Sequence, residues 1–414
     1  MVKRVFWVSV LLILQLVTLC WLPSPAYAFT QEQKLFNEAW GIVSQAYLDD
    51  GFNSQNWWLV RQKALKKPLQ SRESTYAAIE QMLASLDDPF TRLLKPNQYR
   101  SLQTSTAGEL TGVGLQIGLN PETKQLEVIA PIQGSPAEQA GIQPHDAILE
   151  IDGFSTTAMA LDEAAERMRG PLGTSVRIRI AHQTQQSSGQ SLDLQVKRDR
   201  IALNPVQAEL RPQPGGPAIG YIRLSQFNAN AVASMTKAIK RLEEQGANGY
   251  VLDLRSNPGG LLQAGIEIAN LWLDHGTVVY TVNRYGVLGD FTADGQALTH
   301  DPLVVLVNQG TASASEILAG ALQDNQRAKL IGERTFGKGL IQSLFNLSDG
   351  SGLAVTIAKY ETPNHHDINK TGIIPDHVVS ANIESRQQVG TDTDPQYQAA
   401  VKLLVTNPVL AGVS

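Results

Sequence analysis

The spacing of apolar residues changes twice along the chain, and each change marks a different kind of structure. From residue 30 to about residue 100, apolar side chains recur every three or four positions, which predicts amphipathic helices. Residues 104–200 contain short β-like runs with two short helices, which predicts a small independent module. Across residues 201–383 strand-like and helix-like segments alternate, which predicts an α/β core with a largely parallel sheet.

The predicted strands are apolar runs bounded by Gly, Pro or polar residues. In the small module they are residues 114–119, 126–130, 147–151, 175–181 and 192–197. In the α/β core they are residues 219–224, 250–254, 303–307, 329–331 and 353–358, with helices at 231–243, 261–272 and 315–322.

We therefore expect a multidomain α+β protein, and a length of 414 residues fits two to three domains. The expected divisions are a signal peptide (1–28), a helical segment (29–103), the small module (104–200), the α/β core (201–383) and a C-terminal segment (384–414).

The first 28 residues have the composition of a secretory signal. Lys3 and Arg4 precede an apolar run over residues 5–22, and the sequence Ala-Tyr-Ala at 26–28 fits a cleavage site. The alternative is a retained membrane anchor, since a transmembrane helix needs about 20 apolar residues. Cleavage after Ala28 would leave 386 residues outside the cytoplasm.

Charge and cysteine content restrict the function. The 34 basic and 39 acidic residues give a net charge of -5, which argues against nucleic-acid binding because phosphates attract a basic surface. Signal removal takes away two basic residues and no acidic one, so the net charge would become -7. It also removes Cys20, the one cysteine, which excludes a cysteine nucleophile, a disulfide and a cysteine-ligated metal from the mature chain.

Two loops of the α/β core place small residues at the start of a predicted helix. In the first, residues 257–260 (Asn-Pro-Gly-Gly), the glycine N–H groups are suited to hold an oxyanion. In the second, residues 311–316 (Thr-Ala-Ser-Ala-Ser-Glu), the helix N-terminus would stabilise an alkoxide on Ser313. Both loops also have a purely structural interpretation. The first can be a plain turn, and the second can be a capping box from Ser313 to Glu316.

A serine nucleophile needs a base, and Lys338 is the candidate. None of the seven histidines lies in a histidine-containing protease signature. Burial among the flanking Phe336, Leu340 and Ile341 would remove water from Lys338 and lower its pKa. If residues 338–342 are extended, Gln342 shares a face with Lys338 and could hydrogen-bond it. The alternative is a solvated lysine in a turn.

Residues 332–338 also match the start of a phosphate-binding loop, G-x-x-x-x-G-K. That motif continues with Ser or Thr and a helix, but Gly339 follows here and residues 340–345 are predicted to be extended. Nucleotide binding is therefore rejected.

These motifs resemble the carboxyl-terminal processing peptidases, the tail-specific family of Ser-Lys endopeptidases that carry a PDZ domain. The resemblance extends over residues 33–380, and the spacings from Ser313 to Lys338 and from Lys338 to Gln342 agree with the family. It implies that residues 201–383 are a protease core that needs no metal or other cofactor. The implied roles are nucleophile for Ser313, general base for Lys338, lysine orientation for Gln342, and oxyanion binding by the N–H groups of Gly259 and Ala314. By the same resemblance Ser315 is not the nucleophile.

The small module resembles a PDZ domain. Its loop Gly112-Val113-Gly114-Leu115 stands where the family binds a C-terminal carboxylate through backbone N–H groups, while the peptide adds a strand beside the domain. The implied partners are proteins with free C-termini, and neither nucleic acid nor nucleotide.

A narrower resemblance, carried by residues 87–92, 108–118 and 347–352, is to the cyanobacterial and plastid branch of the family. That branch trims the precursor of a photosystem II reaction-centre protein, which implies a thylakoid-lumen or periplasmic location. Membrane association would then come through the substrate or an uncleaved signal. Two alternatives stay open: a general periplasmic tail-specific protease, and a non-enzymatic PDZ scaffold.

Overall fold

The computed structural model describes residues 29–120, 123–132, 134–182, 191–213, 216–380 and 388–406. The predicted signal peptide, residues 1–28, lies outside these ranges. Within them, no helix is both long enough and apolar enough to cross a membrane. The chain divides into a first unit, up to Leu94 together with Ser343–Val355, and a second unit, Lys95–Gln342 together with the chain from Thr356 onward.

From residue 29 onward, where the structure describes it, the first unit contains three helices whose starts are capped by side chains. Thr30, Asn56 and Ser71 each accept a hydrogen bond from an N–H of the following first turn, which otherwise has no partner within the helix. The elements are α1 (Gln31–Ala46), α2 (Trp57–Leu65), α3 (Arg72–Ala84) and β1 (Arg92–Leu94). The predicted helices are confirmed, and β1 was not predicted.

The segment 343–355 completes the core of this unit. Its Leu353 and Val355 are fully buried with Phe36 and Ile79 of the helices. Asp349 anchors the segment by accepting a 2.6 Å hydrogen bond from the Tyr76 hydroxyl and by pairing with Arg72 at 3.1 Å.

The second unit begins with an antiparallel module that matches the predicted small module. Helix α4 (Pro96–Ala107) contains the boundary expected between residues 103 and 104. The strand pair β2–β9 flanks, in sequence, a sheet whose strand order is β3-β4-β5-β7-β8, with β6 paired to β5. The elements are α4 (Pro96–Ala107), β2 (Glu109–Gly112), β3 (Leu115–Leu119), β4 (Leu126–Pro131), α5 (Pro136–Gln139), β5 (Ala147–Ile151), β6 (Phe154–Ser155), α6 (Leu161–Met168), β7 (Ser175–Ala181), β8 (Ser191–Lys197) and β9 (Asp199–Ala202).

The α/β core is built on a six-stranded sheet ordered β10-β11-β12-β15-β16-β19, in which only the β10–β11 pair is antiparallel. The predicted largely parallel sheet is confirmed. The elements of the α/β core are β10 (Val206–Pro212), β11 (Ala218–Leu224), α7 (Ala231–Glu244), β12 (Gly249–Asp253), α8 (Leu262–Asn270), β13 (Thr277–Asn283), β14 (Gly286–Thr292), β15 (Leu303–Val307), α9 (Ala314–Asp324), β16 (Ala328–Gly332), β17 (Leu340–Asn346), β18 (Gly352–Glu361), β19 (His377–Val378) and α10 (Pro395–Thr406). Strands β13, β14, β17 and β18 belong to a second sheet. The hairpin of β13 and β14, and the strands β10 and β19, were not predicted.

The central strands are covered on both faces, which explains their unbroken apolar sequences. Every residue of β12 and β15 is buried. Helices α7, α8 and α9 contribute to the core cluster on one face. On the other face α10 packs with Tyr397, Ala400 and Leu404, so the predicted C-terminal segment supplies part of the core of this unit.

A buried ion network joins the end of β12 to the segment before α10. Arg255 donates to Asp253 at 2.6 Å and binds both carboxylate oxygens of Asp394, at 3.0 and 2.7 Å. All three side chains are at most 3% exposed. Burial opposes the ionisation of Asp394, but its hydrogen bonds to Arg255 and to the Gly390 N–H outweigh burial and hold its pKa below the usual value.

Replacement of Asp394 by Asn is expected to lower the free energy of unfolding by about 1.5–3 kcal/mol, because it removes a charge-assisted hydrogen bond to Arg255, which keeps its pair with Asp253. Since the pKa of Asp394 is lower in the folded state, its contribution is present above its ordinary value of about 3.9 and disappears as the pH falls through its folded value. Denaturant unfolding at pH 7 and pH 3 measures both effects. Glu163→Gln, which removes an exposed partner of Arg167, should cost no more than about 0.5 kcal/mol.

Candidate active site

Ser313 lies in a sharp turn between the buried strand β15 and helix α9. Its φ of 58° and ψ of -120° are a conformation that non-glycine residues rarely adopt. The side chain is half-buried and does not cap the helix, since the Glu316 N–H donates to the main-chain oxygen of Ser313 at 2.7 Å. Such strain at a strand-to-helix turn is typical of nucleophile elbows.

Ser315 differs from Ser313 although it is only two residues further on. It is fully buried, and its hydroxyl donates a 3.0 Å hydrogen bond to the main-chain oxygen of Asn257. Its hydroxyl therefore holds α9 against the 257–260 turn, and the exclusion of Ser315 as nucleophile stays a prediction.

Glu316 joins the Ser313 turn to the segment that contains Lys338. Its fully buried carboxylate accepts hydrogen bonds from the Thr335 hydroxyl at 2.5 Å and from three backbone N–H groups: Gly337 at 2.8 Å, Lys338 at 2.9 Å and Ser313 at 2.9 Å. The last two bonds reach the same oxygen, so the nitrogens of Ser313 and Lys338 are no more than 5.8 Å apart. The structure thus brings together two residues that are 25 positions apart in sequence.

Sequence reasoning treated Glu316 only as a capping-box residue, and its second role was missed. The capping interaction exists in part, because the carboxylate receives the Ser313 N–H. The available signal was its position on the buried face of an apolar helix, where an acidic side chain requires several hydrogen-bond donors.

Lys338 is half-buried in an irregular segment before β17. The glycines beside it are required by close packing: a Cβ on Gly337 would lie 2.8 Å from the Gly372 nitrogen, and one on Gly339 2.8 Å from the Asn369 nitrogen. Phe336 is 57% exposed, so much of its ring faces solvent, and its shielding of Lys338 stays a prediction. The backbone turns at Gly337, whose φ is 86°.

Gln342 lies on β17, whereas Lys338 precedes the first residue of that strand. The Gln342 carboxamide donates to the Thr356 hydroxyl at 3.3 Å. Its role in orienting the lysine stays a prediction.

The 257–260 turn lies directly against Ser313. A Cβ on Gly259 would be 2.9 Å from both the Ala314 nitrogen and the Ser313 Cβ, so only glycine permits this approach. Ala314 is the first residue of α9, and its N–H has no partner within the helix. The Gly259 N–H donates at 2.9 Å to the side-chain oxygen of Asn257.

The phosphate-loop pattern at residues 332–338 does not continue as that motif requires. The segment after Lys338 is the strand β17, so the phosphate-loop pattern lacks its helix, as expected. No cluster of three or more His, Cys, Asp or Glu residues suited to a metal occurs among the described residues.

The predicted carboxylate loop, Gly112 to Leu115, connects β2 to β3. Gly114 has a φ of 81°, and a Cβ there would be 2.3 Å from the Cβ of Ser135, so glycine is required. Strand β3 stands at one end of the described sheet order and packs beside α6. An edge strand next to a helix can accept an added peptide strand.

The comparisons with known proteins agree with this architecture. Residues 218–379 match Peptidase family S41, and residues 127–181 match a PDZ domain. The carboxyl-terminal-processing protease of Synechocystis sp. is 61% identical over 388 residues, which cover 93% of this chain and 90% of the relative. The chloroplastic carboxyl-terminal-processing peptidase 2 of Arabidopsis thaliana is 47% identical, over 89% of this chain and 73% of the relative.

A solved structure of a photosystem II D1 C-terminal processing protease is 41% identical, with a TM-score of 0.57, and the match covers 89% of this chain and 100% of that one. The fold and these similarities define a serine peptidase with a PDZ domain, rather than a non-enzymatic scaffold. The chain belongs to peptidase family S41, and the two relatives named above are carboxyl-terminal processing proteases. The family, fold and enzyme class predicted from the sequence are confirmed.

Proposed function

We propose that Ser313 and Lys338 form the catalytic pair of this peptidase. The observation that carries the proposal is the strained turn at Ser313, held at its N–H by the same Glu316 oxygen that holds the Lys338 N–H. Strained backbone at a half-exposed hydroxyl persists only where the surrounding structure enforces it, and such sites are concentrated in active sites.

In the proposed reaction neutral Lys338 takes the hydroxyl proton as the Ser313 oxygen attacks the scissile carbonyl carbon. The protonated lysine then gives this proton to the leaving amine as the C–N bond breaks. A water molecule next attacks the acyl-enzyme and loses a proton to Lys338. Lys338 returns this proton to the Ser313 oxygen as the ester C–O bond breaks, and the shortened chain is released as a carboxylic acid that ionises in water.

The oxyanion would be bound by the N–H groups of Ala314 and Gly259. Ala314 supports this role, because its N–H is at the helix start next to the serine and adds the favourable helix dipole. Gly259 would have to share its N–H between the oxyanion and Asn257. Gln342 is proposed to orient Lys338 from the neighbouring strand.

The PDZ domain is proposed to select substrates by their C-termini. The peptide would extend the sheet at β3, and the N–H groups of the Gly112–Leu115 loop would bind the terminal carboxylate. This recognition would direct the protease to the ends of chains.

We further propose that the substrate is the precursor of the photosystem II D1 protein. The name of the matched solved structure and the chloroplastic names of several relatives support this assignment. The enzyme would then act in the thylakoid lumen or the periplasm, after export by the signal at residues 1–28. A general tail-specific protease is the competing assignment.

The test uses a synthetic peptide that covers the processed C-terminal region of D1, with a free or an amidated C-terminus. Amidation should lower kcat/KM about 10- to 100-fold, because a hydrogen bond to a charged group contributes about 1.5–3 kcal/mol. EDTA should leave the rate unchanged, and mass spectrometry locates the cut. Equal cleavage of both peptides would contradict carboxylate recognition.

A second peptide of equal length, unrelated in sequence but also ending in a free carboxylate, separates the two substrate assignments. A dedicated processing enzyme should cleave it much more slowly than the D1 peptide. Similar rates for the two peptides would favour the general tail-specific protease.

A further inference from the structure

Tyr360 is a buried tyrosine of β18 that contacts both halves of the candidate pair through one hydroxyl. The side chain is 1% exposed. Its oxygen lies 3.1 Å from the main-chain oxygen of Ser313 and 2.7 Å from that of Lys338. These two carbonyl oxygens are therefore no more than 5.8 Å apart. Neither the sequence motifs nor the family resemblance singled out this residue.

The tyrosine is itself held firmly. Its backbone N–H donates a 3.0 Å hydrogen bond to the main-chain oxygen of Gly339, and its strand pairs with Thr281 of β13. Burial, and then the nearby charges of Glu316 and Asp367, raise the pKa of Tyr360 well above its usual value. The hydroxyl consequently keeps its proton and acts as a donor shared between the two carbonyl groups.

We propose that Tyr360 is a positioning residue for the Ser-Lys pair, an inference that rests on the catalytic roles proposed above. Glu316 joins the N–H groups of Ser313 and Lys338, and Tyr360 joins their carbonyl groups. The two backbone segments are thus joined through both their N–H and their carbonyl groups, which fixes the separation of the Ser313 and Lys338 side chains. Proton transfer from serine to lysine depends steeply on that separation, and a misplacement of about 1 Å can cost about 100-fold in rate.

The test is Tyr360→Phe, which removes the hydroxyl and keeps the ring in the core. We expect kcat to fall about 10- to 100-fold, while KM stays within about twofold because Tyr360 is only 1% exposed and offers a peptide almost no surface. A general loss of folded protein would lower the apparent kcat too, so the melting temperature and the folded fraction are measured on the same samples.

Tyr250→Phe is the matched control. Tyr250 is fully buried in the same core cluster, and its hydroxyl donates a 2.6 Å hydrogen bond to Glu243, away from Ser313 and Lys338. Its loss should lower the melting temperature about as much as the loss of the Tyr360 hydroxyl, while kcat stays unchanged.

The outcomes separate this inference from the proposed function. Wild-type kcat in Tyr360→Phe, or an equal loss of kcat in Tyr250→Phe, would overturn the positioning role. Ser313→Ala is assayed in parallel: if it retains activity, the catalytic pair itself is wrong. If Ser313→Ala is inactive and Tyr360→Phe is fully active, the pair stands and only the role of Tyr360 fails.

Discussion

Ser313→Ala should abolish peptide cleavage and leave the fold intact. The substitution removes the attacking oxygen, and loss of a serine nucleophile lowers kcat by about 10⁴- to 10⁶-fold in comparable enzymes. The remaining rate would reflect substrate binding and the oxyanion donors alone. Initial rates with the free-acid peptide, together with a melting curve, measure the effect.

Ser315→Ala is the control for this experiment, because it removes a hydroxyl only two residues further along the chain. It loses a buried hydrogen bond to Asn257, which should cost about 1 kcal/mol of stability, but the attacking group remains. We expect activity within about tenfold of wild type. Activity in Ser313→Ala combined with inactivity in Ser315→Ala would show that the nucleophile has been assigned to the wrong serine.

Lys338→Ala should reduce kcat about as severely as Ser313→Ala, since the two groups act as a unit in one proton transfer. The double variant should then be no slower than either single variant. Lys329→Ala, which removes an exposed lysine paired with Asp376 at 3.0 Å, should be nearly wild type. A double variant much slower than both single variants would contradict coupled roles.

Lys338→Arg distinguishes a base from a mere positive charge. Arginine keeps the charge and much of the length of lysine, but it does not lose its proton in proteins. We therefore expect this variant to be as inactive as Lys338→Ala. Substantial activity would show that position 338 contributes charge rather than proton transfer.

Two strands with regular burial patterns, β7 and β15, were predicted with their observed bounds. Strand β7 (Ser175–Ala181) alternates between buried and less buried residues, as a half-buried strand does. Strand β15 (Leu303–Val307) has five buried apolar residues and was predicted with its observed bounds, because a parallel strand covered on both faces needs no polar position. The hairpin of β13 and β14 was missed. Helix α10 was missed too, although Tyr397, Ala400, Val401 and Leu404 have the spacing of one helix face.

The sequence predicted the candidate catalytic residues but not the residues that hold them in place. Ser313, Lys338 and the 257–260 turn were found as motifs, since their residue types carry the chemistry. Glu316 had a local explanation as a capping residue, and Tyr360 lies in an ordinary strand sequence. Their roles depend on contacts across 19 to 47 sequence positions, which no local pattern reports.

The sequence by itself therefore determined the family, the layered α/β core with its PDZ domain, and the residue types available for catalysis. Only the tertiary structure decided how these residues meet. A positive φ at a serine costs about 1–3 kcal/mol and persists only if surrounding contacts hold it. Here Gly259, which has no Cβ, allows the neighbouring turn to approach Ser313 closely. The buried carboxylate of Glu316 and the hydroxyl of Tyr360 bind the Ser313 backbone, and all three residues come from different parts of the fold.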